Sequence, residues 1–462
     1  MHSDIAGHTV GSPAFRRMLA ALVCAGIATF AQLYSPQGVL EMISADLSIR
    51  AEQAALTISA ATLALALTVV PWSFVGDRIG RLRAMVIAVL SATVLGLVAA
   101  WAPTFPLVLA LRFLEGAALG GVPALAMAYL SEEMAPRARA LGAGWFVAGT
   151  TVGGLMGRLV ATPVADVLGW RAGVTVVALL SAVAAVTFLL TAPGERRFVP
   201  AAGHQGARPR LSGLLRSLRD PGLLALLAFA FLMMGGFVAV YNYLTFHLSR
   251  PPYSLPGALL GLVFLAYLGG TVASPVAGRL AGAHGRLPVM LGGMAVMAAG
   301  LLATLAGPLP RLLIGLVVMT GGFFGAHAVA SGWAGARSAG AGSQATGLYN
   351  LAYYAGSSVL GWRVGLVYEA WGWGATVTVV LAVIAAAAAL VLLALRGQDE
   401  QGGRSGSEGS VGQIEHPHRE GQGGHADQDD PDQVQPYSGP GHLRDAHVPG
   451  AVGDGIGRGR DR

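Results

Sequence analysis

Twelve stretches of 18 to 25 mostly apolar residues follow one another along the chain, and they restrict it to the architecture of a membrane protein. About 20 residues of α-helix are enough to cross the hydrocarbon core of a bilayer. Charged residues make up 12% of the 462 residues, which is about half of the share in a soluble protein. The chain is therefore predicted to be all-α and to cross the membrane many times.

The apolar stretches form two sets of six, separated by one arginine-rich segment. The predicted spans are residues 18–38, 54–75, 84–101, 105–129, 140–162, 172–192, 222–246, 258–280, 288–307, 311–333, 345–367 and 374–395. The predicted regions are an N-terminus 1–17, a first six-helix bundle 18–192, a linker 193–221, a second six-helix bundle 222–396 and a tail 397–462.

The tail has a composition unlike the rest of the chain. It is rich in Gly, Gln, Asp and His and has no apolar periodicity, so it is predicted to be disordered. Its five histidines lack the spacing of metal ligands, which favours a solvated tail over a metal site. We expect no metal and no cofactor.

Arginine positions predict the orientation of the chain in the membrane. The sequence has no lysine, and 17 arginines lie in connectors or flanks on one side against four on the other. The larger set is Arg16, Arg17, Arg78, Arg81, Arg83, Arg137, Arg139, Arg196, Arg197, Arg208, Arg210, Arg216, Arg219, Arg279, Arg286, Arg337 and Arg396. Because cytoplasmic loops carry the excess of basic residues, both termini are expected in the cytoplasm. The same rule explains the formal charge of +6 without nucleic-acid binding.

Several classes of membrane protein are disfavoured. The phosphate-binding motif G-x-x-x-x-G-K-[ST] cannot occur without lysine, which argues against an ATP-driven pump. The histidines of the apolar core beyond residue 220 are scattered, without nucleophile or metal spacing, so an enzyme is not expected. The tail has no docking motif that would indicate a sensor or scaffold. Transport of a small molecule is compatible with all of these observations.

The connector between predicted spans 2 and 3 reads "GDRIGRLR" and contains Asp77, Arg78, Gly80 and Arg81. Glycine lets two helix ends approach closely, and an acid at one helix end can pair with an arginine in one conformation and separate from it in another. The alternative is a basic turn that only sets topology. A degenerate copy, "GRLAGAHGR", follows in the second half, with Gly282 where the acid would be.

A second internal repeat links spans 5 and 11. "AGTTVGGLMGR" begins at Ala148 and "AGSSVLGWRVG" at Ala355, so that Gly149 corresponds to Gly356. Small residues at such spacing allow helices to pack backbone to backbone.

These motifs resemble those of the major facilitator superfamily, whose fold consists of two repeated six-helix halves. Residues Asp77 to Arg81 match its loop signature, although Ser73 replaces the initial glycine. Over residues 16–396 the chain resembles the twelve-helix branch of arabinose-efflux-like and multidrug-like permeases. The glycine run in span 5 resembles the antiporter signature but has Gly154 where proline is usual and Arg158 where the last glycine would be. The resemblance implies export by alternating access, with uptake of a sugar or organic anion by symport as the alternative.

Charged residues inside predicted spans are candidates for function. Arg112 and Glu115 in span 4 are three residues apart and therefore share a helix face. Burial favours the neutral acid and Arg112 favours the carboxylate, so Glu115 could load and release a proton; a static ion pair is the alternative. In the family the arginine at the position of Arg112 is regarded as part of proton coupling, and a glutamine is common at the position of Glu115.

Polar and aromatic residues predict a substrate cavity. In the family, helices 1, 4, 7 and 10 line the cavity, with contributions from 5, 8 and 11. The candidates are Gln32, Tyr34, Arg158, Asn242, His327, Asn350 and Tyr354. Arg158 and Arg363 could meet an anionic substrate, counter the charge of Glu115 across the cavity, or extend to the membrane surface. His327 could instead make a hydrogen bond between helices. Pro36 is expected to interrupt span 1.

The cellular setting follows from composition. The abundance of glycine and alanine, with arginine in place of lysine, is typical of a GC-rich bacterial genome, and this places the protein in the plasma (inner) membrane. The expected partners are a small-molecule substrate, protons and the lipid bilayer, and the chain is expected to act as a monomer.

Overall fold

The computed structural model describes residues 7–196, 198, 219–305, 307–337 and 342–396, and this part of the chain is almost entirely helical. The helices that match the predicted spans are α1 (Pro13–Asp46), α2 (Ala51–Ile79), α3 (Arg81–Ala100), α4 (Phe105–Glu133), α5 (Arg139–Leu168), α6 (Trp170–Thr191), α7 (Pro221–Leu248), α8 (Gly257–His284), α9 (Arg286–Ala303) and α10 (Leu309–Arg337). A final helical stretch, Gly342–Leu395, is divided at Gly372 into α11 (342–371) and α12 (373–395). The predicted tail lies outside the described residues, as does most of the predicted linker.

Three of these helices are interrupted. In α1 a 3₁₀ turn, Ser35–Val39, follows Tyr34, which confirms the predicted break at Pro36, because proline lacks the backbone donor that a continuous helix needs. In α4 the helix breaks at Gly120. In α8 a 3₁₀ segment, Gly261–Ala266, precedes the main helix. The backbone therefore departs from regular α-helix within spans 1, 4 and 8.

The helices are consistent with twelve spans. Among the described residues, ten helical stretches are long and apolar enough to cross a membrane. Helix α5 is not among the ten and carries Arg158, but it has 30 residues. The last stretch has 54 residues and would be roughly 80 Å long if straight, so the backbone break at Gly372 is needed to give two spans.

Glycine turns repeat between the two halves. Gly80 joins α2 to α3 with φ +102°, and Gly285 joins α8 to α9 with φ +90°. Residues with a Cβ rarely adopt this left-handed conformation. Gly169 and Gly372 form a second such pair, between α5 and α6 and between α11 and α12. The repetition seen in the sequence is thus also present in the backbone.

Helix pairs α1–α5 and α7–α11 pack at close range. A Cβ at Gly149 would lie 2.6 Å from the carbonyl oxygen of Val23 on α1, and a Cβ at Gly356 would meet the backbone of Phe231 on α7. Among the ten apolar spans, α1 and α7 are the most buried. These two helices consequently form the centre of the fold, and the candidate functional residues lie around them.

Candidate functional site

Arg112 and Glu115 form an ion pair inside the first set of six helices. The Arg112 Nη1 to Glu115 Oε2 distance is 2.6 Å, and the two side chains are 4% and 1% exposed. Arg112 also donates to the backbone carbonyls of Thr57 (3.1 Å), Gln32 (3.3 Å) and Leu33 (2.8 Å). The Arg112 guanidinium on α4 therefore links α4 to both α1 and α2, because each of its nitrogens donates to one of these two helices.

Gln32 belongs to this cluster, which we call the ion-pair site (Arg112, Glu115 and Gln32). Gln32 Nε2 donates to the carbonyl of Ala28 (3.0 Å) and to Thr93 Oγ1 (3.3 Å). Its Oε1 is buried and has no hydrogen-bond partner within the part of the chain that the structure describes. The structure thus places Gln32, a predicted substrate-cavity residue, beside the predicted proton-coupling pair.

A narrow cavity adjoins the ion-pair site. It extends from Arg112 and Glu115 between α1, α2, α3, α4 and α6. Its other lining residues are Pro36, Ile43, Thr57, Gly96, Ala99, Ala100, Val108, Trp170 and Val174. Glu115 therefore lines this narrow cavity although its side chain is buried.

Arg158 is the centre of a second cluster, the arginine site (Arg158, Gln37, Asn242, Tyr34, Phe264 and Tyr267). Arg158 is 3% exposed. Its Nε donates to Gln37 Oε1 (2.7 Å) and its Nη1 to the Gly154 carbonyl (2.6 Å). The guanidinium carbon lies 4.3 Å from the centre of the Tyr34 ring. Cation–π contact and hydrogen bonds together hold the guanidinium in place.

The arginine site joins the two sets of helices. Gln37 Nε2 on α1 donates to Asn242 Oδ1 on α7 (2.7 Å), and Asn242 Nδ2 donates to the Gly361 carbonyl on α11 (3.2 Å). A chain of hydrogen bonds consequently runs from α5 through α1 and α7 to α11. Of the predicted cavity residues, Tyr34, Arg158 and Asn242 are brought together here.

The remaining predicted cavity residues outside the two sites make other contacts. His327 Nδ1 is 3.0 Å from the Tyr349 hydroxyl, and its ring stacks on Phe323. The Tyr354 ring packs against Tyr353, which in turn contacts His327. Asn350 is exposed. His327 thus makes the hydrogen bond between helices that the sequence offered as its alternative role.

Arg363, the other span arginine considered as a contact for an anionic substrate, is exposed and stacks on Trp362. It does not take part in the arginine site.

The predicted switch loop is held by acidic residues from other segments. Arg81 pairs with Asp77 and, at 3.2 Å, with Glu132 at the end of α4. The carboxylate of Glu195 accepts hydrogen bonds from the backbone N–H groups of Arg81 (2.5 Å) and Leu82 (3.0 Å). Arg78 is exposed. The loop therefore ties α2, α3, α4 and the segment after α6 to one another.

Contacts between the two sets of helices cluster towards one end. Thr62 bonds Ser358 (2.7 Å), and the Glu52 backbone N–H donates to Glu369 Oε1 (3.2 Å). Arg50 pairs with Glu52 and lies 3.8 Å from Glu369. Among the described residues, the hydrogen bonds and ion pairs between helices α1–α6 and helices α7–α12 lie between the middle of the helices and the end that holds Glu52 and Glu369. The arginine count predicts that this end faces outside.

Sequence reasoning did not identify Glu52, Glu195, Phe264, Tyr267 or Glu369. Within the described ranges, no group of three or more His, Cys, Asp or Glu side chains is placed to hold a metal ion.

Comparison with known proteins identifies the family. The chain is 41% identical over 376 residues to the inner membrane transport protein YnfM of Escherichia coli, covering 80% of this chain and 89% of that protein. It is 33% identical to the MFS-type transporter YybF of Bacillus subtilis, covering 80% and 91%.

Solved structures share the fold at low sequence identity. A bacterial homologue of the human lysosomal transporter Spinster, in an inward-facing conformation, matches with a TM-score of 0.68 at 15% identity and covers 83% of this chain and 96% of its own. The xylose transporter XylE from E. coli matches with a TM-score of 0.65 at 14% identity, covering 82% and 97%. The family model described as Major Facilitator Superfamily matches residues 19–270 and 244–420. With the helical architecture and these relatives, the chain belongs to the Major Facilitator Superfamily.

Proposed function

We propose that the protein is a proton-coupled antiporter that exports a small organic molecule across the bacterial plasma membrane by alternating access. The observation that carries this proposal is the buried ion pair of Arg112 and Glu115 beside a cavity. An ionised carboxylate in the membrane interior is costly unless it is paired. Glu115 can therefore alternate between a paired carboxylate and a neutral acid as its surroundings change.

Protonation of Glu115 has a mechanical consequence in this geometry. Arg112 holds carbonyl groups of α1 and α2 while its Nη1 also pairs with Glu115 on α4. A proton on Glu115 removes the charge attraction within the pair, so Arg112 is freer to change its helix contacts. Such a change in contacts between packed helices is how a local charge event biases a two-state transporter.

The proposal of export, as opposed to uptake, rests on the packing of α5. Gly149 lets the backbone of α5 approach α1, in the segment that resembles the antiporter signature. Proton-coupled uptake of a sugar or organic anion is the competing function, and the contacts around Glu115 are compatible with it.

The test uses inside-out vesicles whose interior is acidified by respiration and monitored with an acid-sensing dye. Drugs, sugars and organic acids are added singly. We expect one class to release the quenching in wild type and in Asp166→Asn, which changes an exposed carboxyl of α5, but not in Glu115→Gln. An equal response in Glu115→Gln would refute coupling through this residue. Uptake with proton entry in right-side-out vesicles would instead establish symport.

A further inference from the structure

Arg158 carries a buried positive charge that no acid of the described residues neutralises. Its side chain is 3% exposed, and none of the ion pairs among the described residues includes it. A buried cation normally pairs with an anion, because its removal from water is costly. The arginine site therefore has an unmatched charge at the contact between the two sets of helices.

The hydrogen bonds of Arg158 leave part of its guanidinium available. Gln37, Gly154 and Tyr267 accept from it at 2.7, 2.6 and 3.5 Å, and all three acceptors are neutral. A guanidinium has five N–H donors in a planar fork that fits a carboxylate. Two of the five remain without a hydrogen bond to the described residues.

The surroundings of Arg158 are aromatic. The guanidinium carbon lies 4.3 Å from the ring centre of Tyr34, 4.7 Å from that of Tyr267 and 5.1 Å from that of Phe264. The aromatic surface continues on the second set of helices, since Tyr267 packs against Phe237 and Phe324. An apolar group next to the guanidinium would contact ring faces and not bulk water.

The position of the arginine site links ligand binding to movement. The site takes Arg158 from α5, Gln37 from α1, Asn242 from α7 and Tyr267 from α8. Transporters of this architecture move one repeat against the other around a site near the bilayer midplane. A ligand at Arg158 would touch both repeats, so its affinity would depend on their relative position.

We propose that Arg158 binds the carboxylate of an amphipathic organic acid whose apolar body lies against Tyr34, Phe264 and Tyr267. This inference rests on the proposed transport function and narrows its substrate class. The unpaired guanidinium repels organic cations at short range, which excludes a cationic compound at this position. A neutral amide of the same shape would leave the charge unmatched.

The test is a binding measurement on the purified full-length protein in detergent, without a proton gradient. The probes are phenylacetate, 4-hydroxybenzoate and octanoate, each compared with its primary amide by isothermal titration calorimetry. We expect at least one acid to bind at least tenfold more tightly than its amide. The preference should disappear in Arg158→Gln and persist in Arg363→Gln, because Arg363 is exposed and stacks on Trp362.

Absence of an acid preference in all three pairs would refute the inference, and so would an unchanged preference in Arg158→Gln. If Arg158→Gln does not fold, Arg158→Lys tests the same point, since it keeps the charge but loses the planar fork, and we expect the acid to bind more weakly. Acid binding without proton movement in vesicles would leave anion recognition intact and remove the proposed proton coupling. Proton movement in vesicles without preferential binding of an acid would refute the proposed anionic substrate and leave the proposed proton coupling intact.

Discussion

The side-chain oxygens of Gln32 and Glu115 face the same point beside Gly96 on α3. A Cβ at Gly96 would lie 2.8 Å from Gln32 Oε1 and 2.9 Å from Glu115 Oε1, which places the two oxygens less than 6 Å apart. Gln32 Nε2 is occupied by the carbonyl of Ala28 and by Thr93, while Gln32 Oε1 has no hydrogen-bond partner among the described residues. A proton on Glu115 would supply a donor near this acceptor oxygen.

Replacement of Gln32 by leucine is expected to weaken proton binding at Glu115. The substitution removes a buried acceptor to which the protonated carboxyl of Glu115 could donate. A hydrogen bond contributes about 0.5–1.5 kcal/mol net, so its loss should lower the proton affinity of Glu115 roughly two- to tenfold. The measurement is infrared difference spectroscopy of the protonated carboxyl stretch against pH, with Glu115→Gln as the reference that lacks the band.

Thr93→Val is the matched control for this prediction, because it removes a partner of Gln32 Nε2 but keeps the acceptor oxygen. We expect its titration midpoint to stay near that of wild type. A Gln32→Leu protein with the wild-type midpoint would show that Gln32 does not interact with the proton on Glu115.

Gly149→Ala is expected to destabilise the protein. The added methyl group would lie 2.6 Å from the Val23 carbonyl oxygen and 2.8 Å from its Cα, and backbone atoms cannot rotate away as a side chain can. Overpacking of this kind costs about 1–3 kcal/mol, so the thermal unfolding midpoint in detergent should fall by several degrees. In Gly144→Ala, on the same helix, the added methyl group would meet no atom of the described residues within 4 Å, so the midpoint of this variant should not fall. Equal losses in both variants would contradict the packing argument.

The sequence predicts a contact in these sites when the two residues that make it are close along the chain, and not when they are far apart. Arg112 and Glu115 are three residues apart, so helical periodicity alone places them together, and the structure does so at 2.6 Å. For Gln32 the sequence predicts a place in the substrate cavity, but a polar residue in span 1 does not reveal which neighbouring helix it faces, and the structure places it against Thr93 on α3. Tyr267 lies 109 residues from Arg158, and only the packing of α8 against α5 brings them into contact.

The same limit applies to the switch loop. The motif places an acid and a base, Asp77 and Arg81, four residues apart in the connector, and they form a pair. Glu195 lies 114 residues from Arg81, in a connector whose sequence indicates only a polar linker. Its role as an acceptor for backbone N–H groups depends on the chain returning to the start of α3 after α6.

Glu195→Ala is expected to weaken the start of α3. Its carboxylate accepts from two of the first N–H groups of the helix, Arg81 and Leu82, which have no partner within the helix itself. Loss of a cap costs about 0.5–2 kcal/mol. Hydrogen exchange measured by mass spectrometry should show faster exchange in the first turn of α3. Glu195→Gln keeps an acceptor oxygen and should show an intermediate effect, whereas unchanged exchange in Glu195→Ala would indicate that the cap contributes nothing.

Asp220, which precedes α7, is expected to make stability depend on pH. Arg337 donates to its two carboxylate oxygens, each at 2.8 Å, and Gly222 N–H also donates to it. The hydrogen bonds from Arg337 are the largest cause that lowers the pKa of Asp220 below its ordinary value. A group with a lowered pKa stabilises the fold fully above its pKa in the unfolded chain, about 3.9, and loses this contribution as the pH falls through the lower folded value.

Asp220→Asn retains a capping side chain but not the charge, so it isolates the ionic part of this interaction. Because the pair is partly exposed, we expect a loss of only about 1 kcal/mol at pH 7. The difference from wild type should shrink as the pH is lowered from 5 to 3 in thermal unfolding experiments in detergent. In the double variant with Arg337→Gln the two losses should not add, because each removes the same ion pair. A difference that is constant over this pH range, or losses that add fully, would show that Asp220 and Arg337 do not stabilise the protein as a charged pair.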